Sequence, residues 1–172
     1  MRAVVQRVSE ARVSVDGEVV GEIGRGLLVL LCAMDGDVEG DLDWVLRKII
    51  ALRVFPDADG RMNEALTALP ATTEHGPTGL LVVSQFTLSA DLSPKTAKGN
   101  RPAFTRAMAP VPASAMVDAF VERARAALTP DGHRVSTGVF GADMKVSLVN
   151  DGPVTLCFDS RDIVAGTSGE TR

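Results

Sequence analysis

Residues 26–33, GLLVLLCA, are the stretch that decides the fold of this chain. The run is short and continuously apolar, which is typical of a central β-strand covered on both faces. On its N-terminal side, the alternating segments ARVSV and EVVGEI are joined by Asp16-Gly17, and this pair predicts a β-hairpin with a two-residue turn. Residues 2–8, RAVVQRV, predict one more strand at the start of the chain.

Two helices and further strands are predicted after the central run. Apolar residues at helical spacing predict one helix over residues 38–53 and another over about 113–128. Residues 64–79 are punctuated by Pro and Gly and are predicted to form a surface loop or insertion. LLVVSQFTL at 80–88 predicts a strand, and MKVSLVN and PVTLCF predict two closing strands. The strands outnumber the helices and do not alternate strictly with them, which indicates a layered α+β fold with the helices on one face.

The composition narrows the class of protein. A net charge of −4 argues against a broad groove for long nucleic acid, but it leaves room for a small phosphate site. No apolar run approaches the roughly 18–20 residues of a membrane helix, and the N-terminus has no signal-peptide pattern, so we expect a cytoplasmic protein. Cys32 and Cys157 lie in apolar segments and are predicted to be reduced core thiols. His75 and His133 have no ligand partner at i+4, so no metal site is predicted.

Residues 82–91, VVSQFTLSAD, place polar side chains inside an apolar strand pattern. In a regular strand, Ser84 would share one face with Phe86, and Gln85 would share the other with Thr87. A solvated edge strand is the structural explanation of such a pattern. The functional explanation is that these polar groups face a ligand.

A hydroxyl nucleophile requires a base within hydrogen-bonding reach, and histidine is the usual one. His75 and His133 both lie in Gly- and Pro-containing loop sequence, and nothing in the sequence places either beside Thr87. The hydroxyls of this stretch are therefore predicted to bind substrate rather than attack it.

Gly152-Pro153, hereafter the Gly-Pro motif, interrupts the last β segment within VSLVNDGPVTLCF, residues 146–158. Asn-Asp-Gly-Pro is rich in turn-forming residues, and proline removes a donor from a strand ladder, so a hairpin turn is predicted here. A cis peptide bond is the alternative, but the sequence alone does not indicate it.

These segments carry a family resemblance. SQFTL at 84–88 and NDGPVT at 150–155 resemble the two signature motifs of D-aminoacyl-tRNA deacylases. MRAVVQRV, GEIGRGLLVLL, RVFPDADGRMN, GNRPAF and VFGADMKVSLVNDGPVT fit the same family in the same order. The chain departs from the family in a longer link at 66–79 and in its tail. The predicted organisation is one domain over residues 1–158, with a barrel-like core of layered mixed or antiparallel sheets and two helices on one face, followed by a flexible tail at 159–172.

The resemblance implies a hydrolase, without a cofactor, that cleaves the ester joining a D-amino acid or glycine to the 3′ end of tRNA. It also implies a homodimer with active sites at the interface, in which a cis Gly-Pro motif enters the partner's pocket and rejects L-amino acids. The implied catalytic residues are Ser84, Gln85, Phe86 and Thr87. The residues implied in substrate binding and chiral selectivity are Gly152, Pro153, Phe140, Gly141 and Met144.

Two mechanisms are compatible with these residues. In the first, backbone N–H groups near Phe86 and Thr87 stabilise the oxyanion, and the 2′-hydroxyl of the terminal ribose assists hydrolysis of an ester that is already activated. In the second, Thr87 is the nucleophile. Two further classes of protein are kept open: a non-catalytic domain that binds RNA ends, and a Ser/Thr esterase for small molecules.

A basic loop at residues 95–106 carries cations and no acidic side chain. It is either a solvated loop or a surface that contacts the phosphates of the tRNA acceptor end. The residues predicted to make these phosphate contacts are Lys95, Lys98 and Arg101.

Overall fold

The computed structural model describes residues 1–93, 95 and 100–162, which form ten β-strands and two α-helices. The strands are β1 (Arg2–Val15), β2 (Glu18–Ile23), β3 (Gly26–Cys32), β4 (Phe55–Pro56), β5 (Met62–Glu64), β6 (Thr72–Thr73), β7 (Gly76–Pro77), β8 (Gly79–Ser84), β9 (Arg134–Thr137) and β10 (Met144–Asp159). The helices are α1 (Glu39–Ile50) and α2 (Pro110–Leu128). Lys98 and residues 163–172 of the predicted tail lie outside the described residues.

Six of these strands form one mixed sheet in the order β10–β1–β3–β8–β9, with β2 also paired to β1. β1 is antiparallel to its three neighbours, and β3, β8 and β9 are parallel to one another. β2 and β9 approach each other, and the Ser136 hydroxyl donates to the carbonyl of Glu22 at 2.8 Å. Gly21 permits this approach, since a Cβ there would lie 2.6 Å from the carbonyl oxygen of Thr137. The sheet is thus nearly closed into a barrel, and the predicted fold class is confirmed.

Alternating side chains of the central strands pack into two separate cores. Leu27 and Val29 of β3 face a core that includes the apolar sides of both helices. Leu28 of β3, with Leu81 and Val83 of β8, belongs to a second core on the other face of the sheet. The two helices therefore cover one face, as predicted from their apolar stripes. Neither helix is long and apolar enough to cross a membrane.

The hairpin and the central strand are confirmed. Asp16 and Gly17 have φ values of 52° and 88°, the pair of positive angles that a two-residue hairpin turn of type I′ requires. β3 lies between β1 and β8, and all of its residues except Leu30 are buried. α2 begins at Pro110, earlier than predicted, because proline is tolerated in the first helical turn, where its missing N–H has no partner to lose.

The predicted strand through SQFTL is wrong beyond its first residue. β8 ends at Ser84, and residues 86–89 form a 3-10 turn instead. Parallel pairing holds β8 against β3 only as far as Leu31 and Ser84, and the chain turns where this ladder ends. Consequently, the predicted alternation of side chains does not apply to Phe86 and Thr87.

The predicted hairpin at the Gly-Pro motif is also wrong. Both predicted closing strands belong to β10, which runs antiparallel to β1 along its whole length. Gln6 pairs with Thr155 and Val8 pairs with Asn150, so residues 151–154 bulge opposite a single residue of β1. Turn-forming residues thus make a bulge within one strand, and only the long-range register distinguishes a bulge from a hairpin.

Three smaller predictions are corrected. The 64–79 segment is not only surface, since Leu66 is fully buried in the helix-covered core. Cys157 is exposed on β10, whereas Cys32 is buried as predicted. The first residues of the predicted tail are held in the fold, because Asp159 ends β10 and the buried Ser160 hydroxyl accepts a hydrogen bond from the α-amino group of Met1 at 2.5 Å.

Candidate functional site

A cleft of about 640 Å³ opens where β8 ends. Its walls come from the end of β3, the turn after β8, the segment before α2, the start of α2 and the loop that enters β10. A volume of this size lies in the range of ordinary small-ligand sites. Six of the nine residues predicted to catalyse or select substrate line it: Ser84, Gln85, Phe86, Phe140, Gly141 and Met144.

Within the part of the chain that the structure describes, the first backbone donors of the turn after β8 have no partner. The N–H of Gln85 still donates to the carbonyl of Leu31 on β3, at 2.7 Å. The 3-10 turn then begins at Phe86, and the first N–H groups of such a turn have no partner inside it. The N–H groups of Phe86 and Thr87 occupy these leading positions, which makes them suitable donors to a developing oxyanion.

The Thr87 hydroxyl lacks the surroundings of a nucleophile. Its oxygen accepts a hydrogen bond from the Gln85 amide at 2.5 Å, so the group it contacts is a donor and not a base. Thr87 is exposed and is not among the residues that line the cleft. His75 and His133 do not line the cleft either.

Cys32, a residue that sequence analysis assigned only to the core, also lines the cleft. Its thiol lies 3.6 Å from the carbonyl oxygen of Phe86. Burial raises the pKa of the Cys32 thiol, and the carboxylate of Asp37 adds to this, although Arg2 and the α-amino group oppose it. A raised pKa keeps the sulfur protonated at neutral pH, so Cys32 is a poor nucleophile.

An aromatic pair forms the mouth of the cleft. The rings of Phe86 and Phe104 meet edge to face with centroids 5.1 Å apart, and Phe86 is 59% exposed. The segment that carries Phe104 is held in place by two backbone hydrogen bonds. The N–H of Asp91 donates to the carbonyl of Ala103 at 2.8 Å, and the N–H of Ala103 donates to the carbonyl of Asp91 at 3.0 Å. Arg101 is exposed and lies two residues before Ala103 in the chain. Such exposed rings are suited to stacking on a nucleic-acid base.

The opposite wall depends on two glycines. Gly141 has a φ of 75°, which only glycine adopts readily, and it reverses the chain before β10. Gly138 packs against Met144, since a Cβ on Gly138 would lie 2.4 Å from the Met144 sulfur. Phe140 lies between Gly138 and Gly141 in the chain, and it is 38% exposed. The predicted Phe140, Gly141 and Met144 are therefore brought together as one wall.

The Gly-Pro motif lies elsewhere in the same chain. Its peptide bond is cis, and both residues are exposed in the bulge of β10. The side-chain oxygen of Asn150 fixes the bulge by accepting a hydrogen bond from the N–H of Val154 at 2.9 Å. Val146, a cleft residue of β10, and Gly152 are six residues apart, which corresponds to about 20 Å of extended strand. Neither residue of the motif lines the cleft of its own chain.

Arg7 is a residue that sequence analysis missed. It is buried in β1 opposite the bulge, where its Nε donates to the carbonyl of Asp151 at 2.9 Å and its Nη1 donates to the carbonyl of Val54. A Cβ on Gly152 would lie 2.8 Å from its Nη2. The only sequence signal for this role is an arginine within the apolar run of β1.

The basic loop is described in part. Lys95 and Arg101 are exposed, and Lys98 lies outside the described residues. Within residues 1–93, 95 and 100–162, no three His, Cys, Asp or Glu side chains are grouped so that they could hold a metal ion.

Comparison with known proteins gives consistent similarities. The family model described as D-Tyr-tRNA(Tyr) deacylase matches residues 4–159. The D-aminoacyl-tRNA deacylases of Albidiferax ferrireducens and Polaromonas sp. are each 54% identical to the chain over 156 residues, which is 91% of this chain and 92% and 95% of theirs. The D-aminoacyl-tRNA deacylase of Variovorax paradoxus is 52% identical over the same length, which is 97% of that protein.

Two solved structures are also similar. The c-Myc DNA Unwinding Element Binding Protein is 39% identical, with a TM-score of 0.79 over 92% of this chain and 98% of that one. A probable eukaryotic D-amino acid tRNA deacylase is 18% identical, with a TM-score of 0.69 over the same shares of the two chains, a similarity of fold.

Proposed function

Because this chain belongs to the D-Tyr-tRNA(Tyr) deacylase family, we propose that it releases D-amino acids and glycine from the 3′ end of tRNA in an active site shared by two subunits. The enzyme is a hydrolase that acts on the ester bond of D-aminoacyl-tRNA. Its substrate is charged tRNA, and we therefore place it in the cytoplasm. The net charge of −4 does not favour long DNA as a ligand.

The observation that carries the proposal is the composition of the cleft. It combines the leading N–H groups of the turn at Phe86 with an aromatic wall. Among the described residues that line it, none is a histidine, lysine or arginine, and the carboxylate of Asp143 is exposed and paired with Lys145 at 2.8 Å. A triad esterase requires a base beside its nucleophile. A site with oxyanion donors and no such base is suited to an ester that is already activated, as an aminoacyl ester is.

The reaction follows from these groups. A water oxygen attacks the carbonyl carbon, and the charge that develops on the carbonyl oxygen is stabilised by the N–H groups of Phe86 and Thr87. The bond between the carbonyl carbon and the ribose O3′ then breaks, and O3′ takes a proton as the free amino acid leaves. The vicinal 2′-hydroxyl assists by orienting the water and by donating a proton toward O3′, so the RNA supplies the acid–base group in place of a histidine.

Selection against L-amino acids is assigned to the Gly-Pro motif of the partner subunit. A rigid backbone element can block the direction in which the side chain of an L-amino acid would project, while the side chain of a D-amino acid projects in a direction that stays open. Glycine has no side chain to be blocked, so glycyl-tRNA is also a substrate. Because the filter excludes one direction and does not recognise a side chain, D-amino acids of different shapes are accepted.

Two features favour a homodimer. The Gly-Pro motif is exposed about 20 Å along β10 from the cleft, and within the described residues the outer edge of β10 has no strand partner. In a twofold dimer, each copy offers the same surface to the other, so the bulge of each β10 would enter the cleft of its partner.

The test of the proposed function is the release of amino acid from matched charged tRNAs. D-Tyr-tRNA is expected to be hydrolysed at least about a hundredfold faster than L-Tyr-tRNA, and glycyl-tRNA is expected to be hydrolysed as well. Release of neither tyrosine would favour a non-catalytic domain that binds RNA ends. Equal release of both would disprove the chiral filter.

The basic loop is proposed to contact phosphates of the acceptor end. Lys95 and Arg101 are exposed. Arg101 is close in the chain to Phe104 at the mouth of the cleft, and backbone hydrogen bonds between Ala103 and Asp91 hold this segment in place. A patch of this size is sufficient for a protein that holds only a single-stranded end.

Replacing Lys95 and Arg101 with glutamate is expected to weaken tRNA binding and to make its salt dependence shallower. Each lost phosphate contact should reduce the slope of log affinity against log salt by about 0.7. The control is Arg61→Glu, since Arg61 is exposed on the turn between β4 and β5 and does not line the cleft. If the double variant keeps the wild-type slope of log affinity against log salt, the loop is solvated and makes no phosphate contact.

A further inference from the structure

A second cavity of about 180 Å³ adjoins the cleft, and we call it the annex. Ser84, Val117 and Phe140 line both cavities, so the two spaces share a wall. The annex is lined by α2 and by residues at the end of β9, and Phe104 does not line it. The annex is therefore adjacent to the space that the terminal adenosine would occupy.

Charged side chains of α2 line the annex. Asp118, Glu122 and Arg125 are spaced by four and three residues, which places them on one face of the helix. Arg125 Nη1 donates to Glu122 Oε1 at 2.7 Å, and the two side chains are 44% and 69% exposed. In the described part of the chain, this is the only hydrogen bond that either side chain makes, so the annex retains both donors and acceptors for a ligand.

These groups match the Watson–Crick edge of cytosine. A carboxylate accepts from the exocyclic N4 amino group, and a guanidinium donates to the N3 and O2 acceptors. Uracil presents the opposite pattern, with an acceptor at O4 and a donor at N3. The ring of Phe140 on the shared wall offers a surface for base stacking. Two carboxylates in so small a space disfavour a phosphate, which makes a base the better occupant.

We propose that the annex binds the cytosine of the nucleotide that precedes the terminal adenosine of tRNA. The inference rests on the proposed function, because it requires the aminoacylated adenosine to occupy the cleft. The enzyme then recognises two nucleotides of the CCA end. Glu122 is assigned to the N4 amino group and Arg125 to the N3 and O2 atoms.

Affinity for short analogues provides the test. D-Tyr joined by a stable amide to the 3′ position of CpA, of UpA and of adenosine alone gives three ligands that cannot be hydrolysed. The wild-type protein is expected to bind the CpA analogue about tenfold more tightly than the UpA analogue. Arg125→Ala and Glu122→Ala should each reduce this preference to less than about twofold and leave the affinity for the adenosine analogue unchanged.

Arg61→Ala is the matched control, since Arg61 also forms an exposed ion pair but lines neither cavity. It should preserve the preference for CpA. Exposed ion pairs contribute little to stability, so the α2 variants are expected to fold, and their melting curves would verify this. Equal affinity of the wild type for CpA and UpA would overturn the proposal. So would an Arg125→Ala variant that loses affinity for the adenosine analogue as well.

The proposed function fails in a different way. If the wild type binds CpA preferentially but does not hydrolyse the corresponding D-Tyr ester, the deacylation proposal is contradicted and the cytosine site stands. If it hydrolyses the CpA and UpA esters with equal kcat/KM and binds both analogues equally, only the cytosine site is contradicted.

Discussion

D-Tyr-tRNA with a 2′-deoxy terminal adenosine is expected to be hydrolysed at least about a hundredfold more slowly than the normal substrate. General acid–base assistance contributes about 10²–10⁴ in rate, and in this site the 2′-hydroxyl is the group that provides it. No histidine lines the cleft, the Asp143 carboxylate at its edge is exposed and paired with Lys145, and the Thr87 oxygen already accepts from the Gln85 amide, so we expect no side chain among the described residues to replace the hydroxyl. The measurement is single-turnover hydrolysis, divided by the rate without enzyme, since the hydroxyl also accelerates the uncatalysed reaction.

Thr87→Ala tests the alternative mechanism with the normal substrate. If Thr87 only presents its backbone N–H, the variant should retain activity within about tenfold of the wild type, because alanine has the same N–H. A covalent role would give a loss of several orders of magnitude. Full activity on the 2′-deoxy substrate, together with an inactive Thr87→Ala variant, would replace RNA-assisted hydrolysis with nucleophilic catalysis.

Arg7→Ala is expected to reduce kcat/KM for D-Tyr-tRNA by about a hundredfold. The Arg7 guanidinium joins the carbonyl of Asp151 in the bulge to the carbonyl of Val54, and alanine removes both contacts. A displacement of about 1 Å at a group that positions a substrate has a cost of this size. The dimer should persist, because the side chain lies within its own subunit, and sedimentation can verify this.

The conservative variant separates positioning from general destabilisation. Arg7→Lys keeps the charge but cannot donate to two carbonyls in the same planar geometry, so intermediate activity is expected. Arg61→Ala should have the activity of the wild type, since Arg61 is distant in sequence from the bulge and lines no part of the cleft. An Arg7→Ala protein with normal melting behaviour and normal activity would remove Arg7 from the site.

Local sequence was sufficient to predict the elements whose structure depends on residues close together in the chain. Asp16-Gly17 predicted the hairpin because the turn type requires two positive φ angles, and the apolar run of β3 predicted its central place. The cleft residues of SQFTL were found by resemblance, while their geometry was predicted incorrectly. β8 ends at Ser84 because its ladder with β3 ends there, and pairing between distant strands is not contained in a local pattern.

The same limit explains the errors in the second half of the chain. Asn-Asp-Gly-Pro has the composition of a turn, but the antiparallel ladder with β1 continues on both sides and converts it into a bulge. Arg7 acquires its role only through that register. The aromatic mouth depends on the pairing of Asp91 with Ala103, which no periodicity indicates. The geometry of the site therefore depends on the pairing register between distant strands, and local sequence patterns do not predict this register.

In the proposed dimer, each active site combines the cleft of one subunit with the bulge of the other, and mixed dimers distinguish this arrangement from a site formed within one chain. Arg7→Ala impairs the bulge, and Phe86→Asp impairs the cleft by placing a carboxylate at an exposed position where an oxyanion must form. Each variant alone should be nearly inactive. After subunit exchange, half of the dimers should be mixed, and each of these contains one intact shared site, so activity should recover to about a quarter of the wild-type value. If activity does not recover, although differently tagged subunits show that exchange has occurred, each chain forms its site alone and the shared site is disproved.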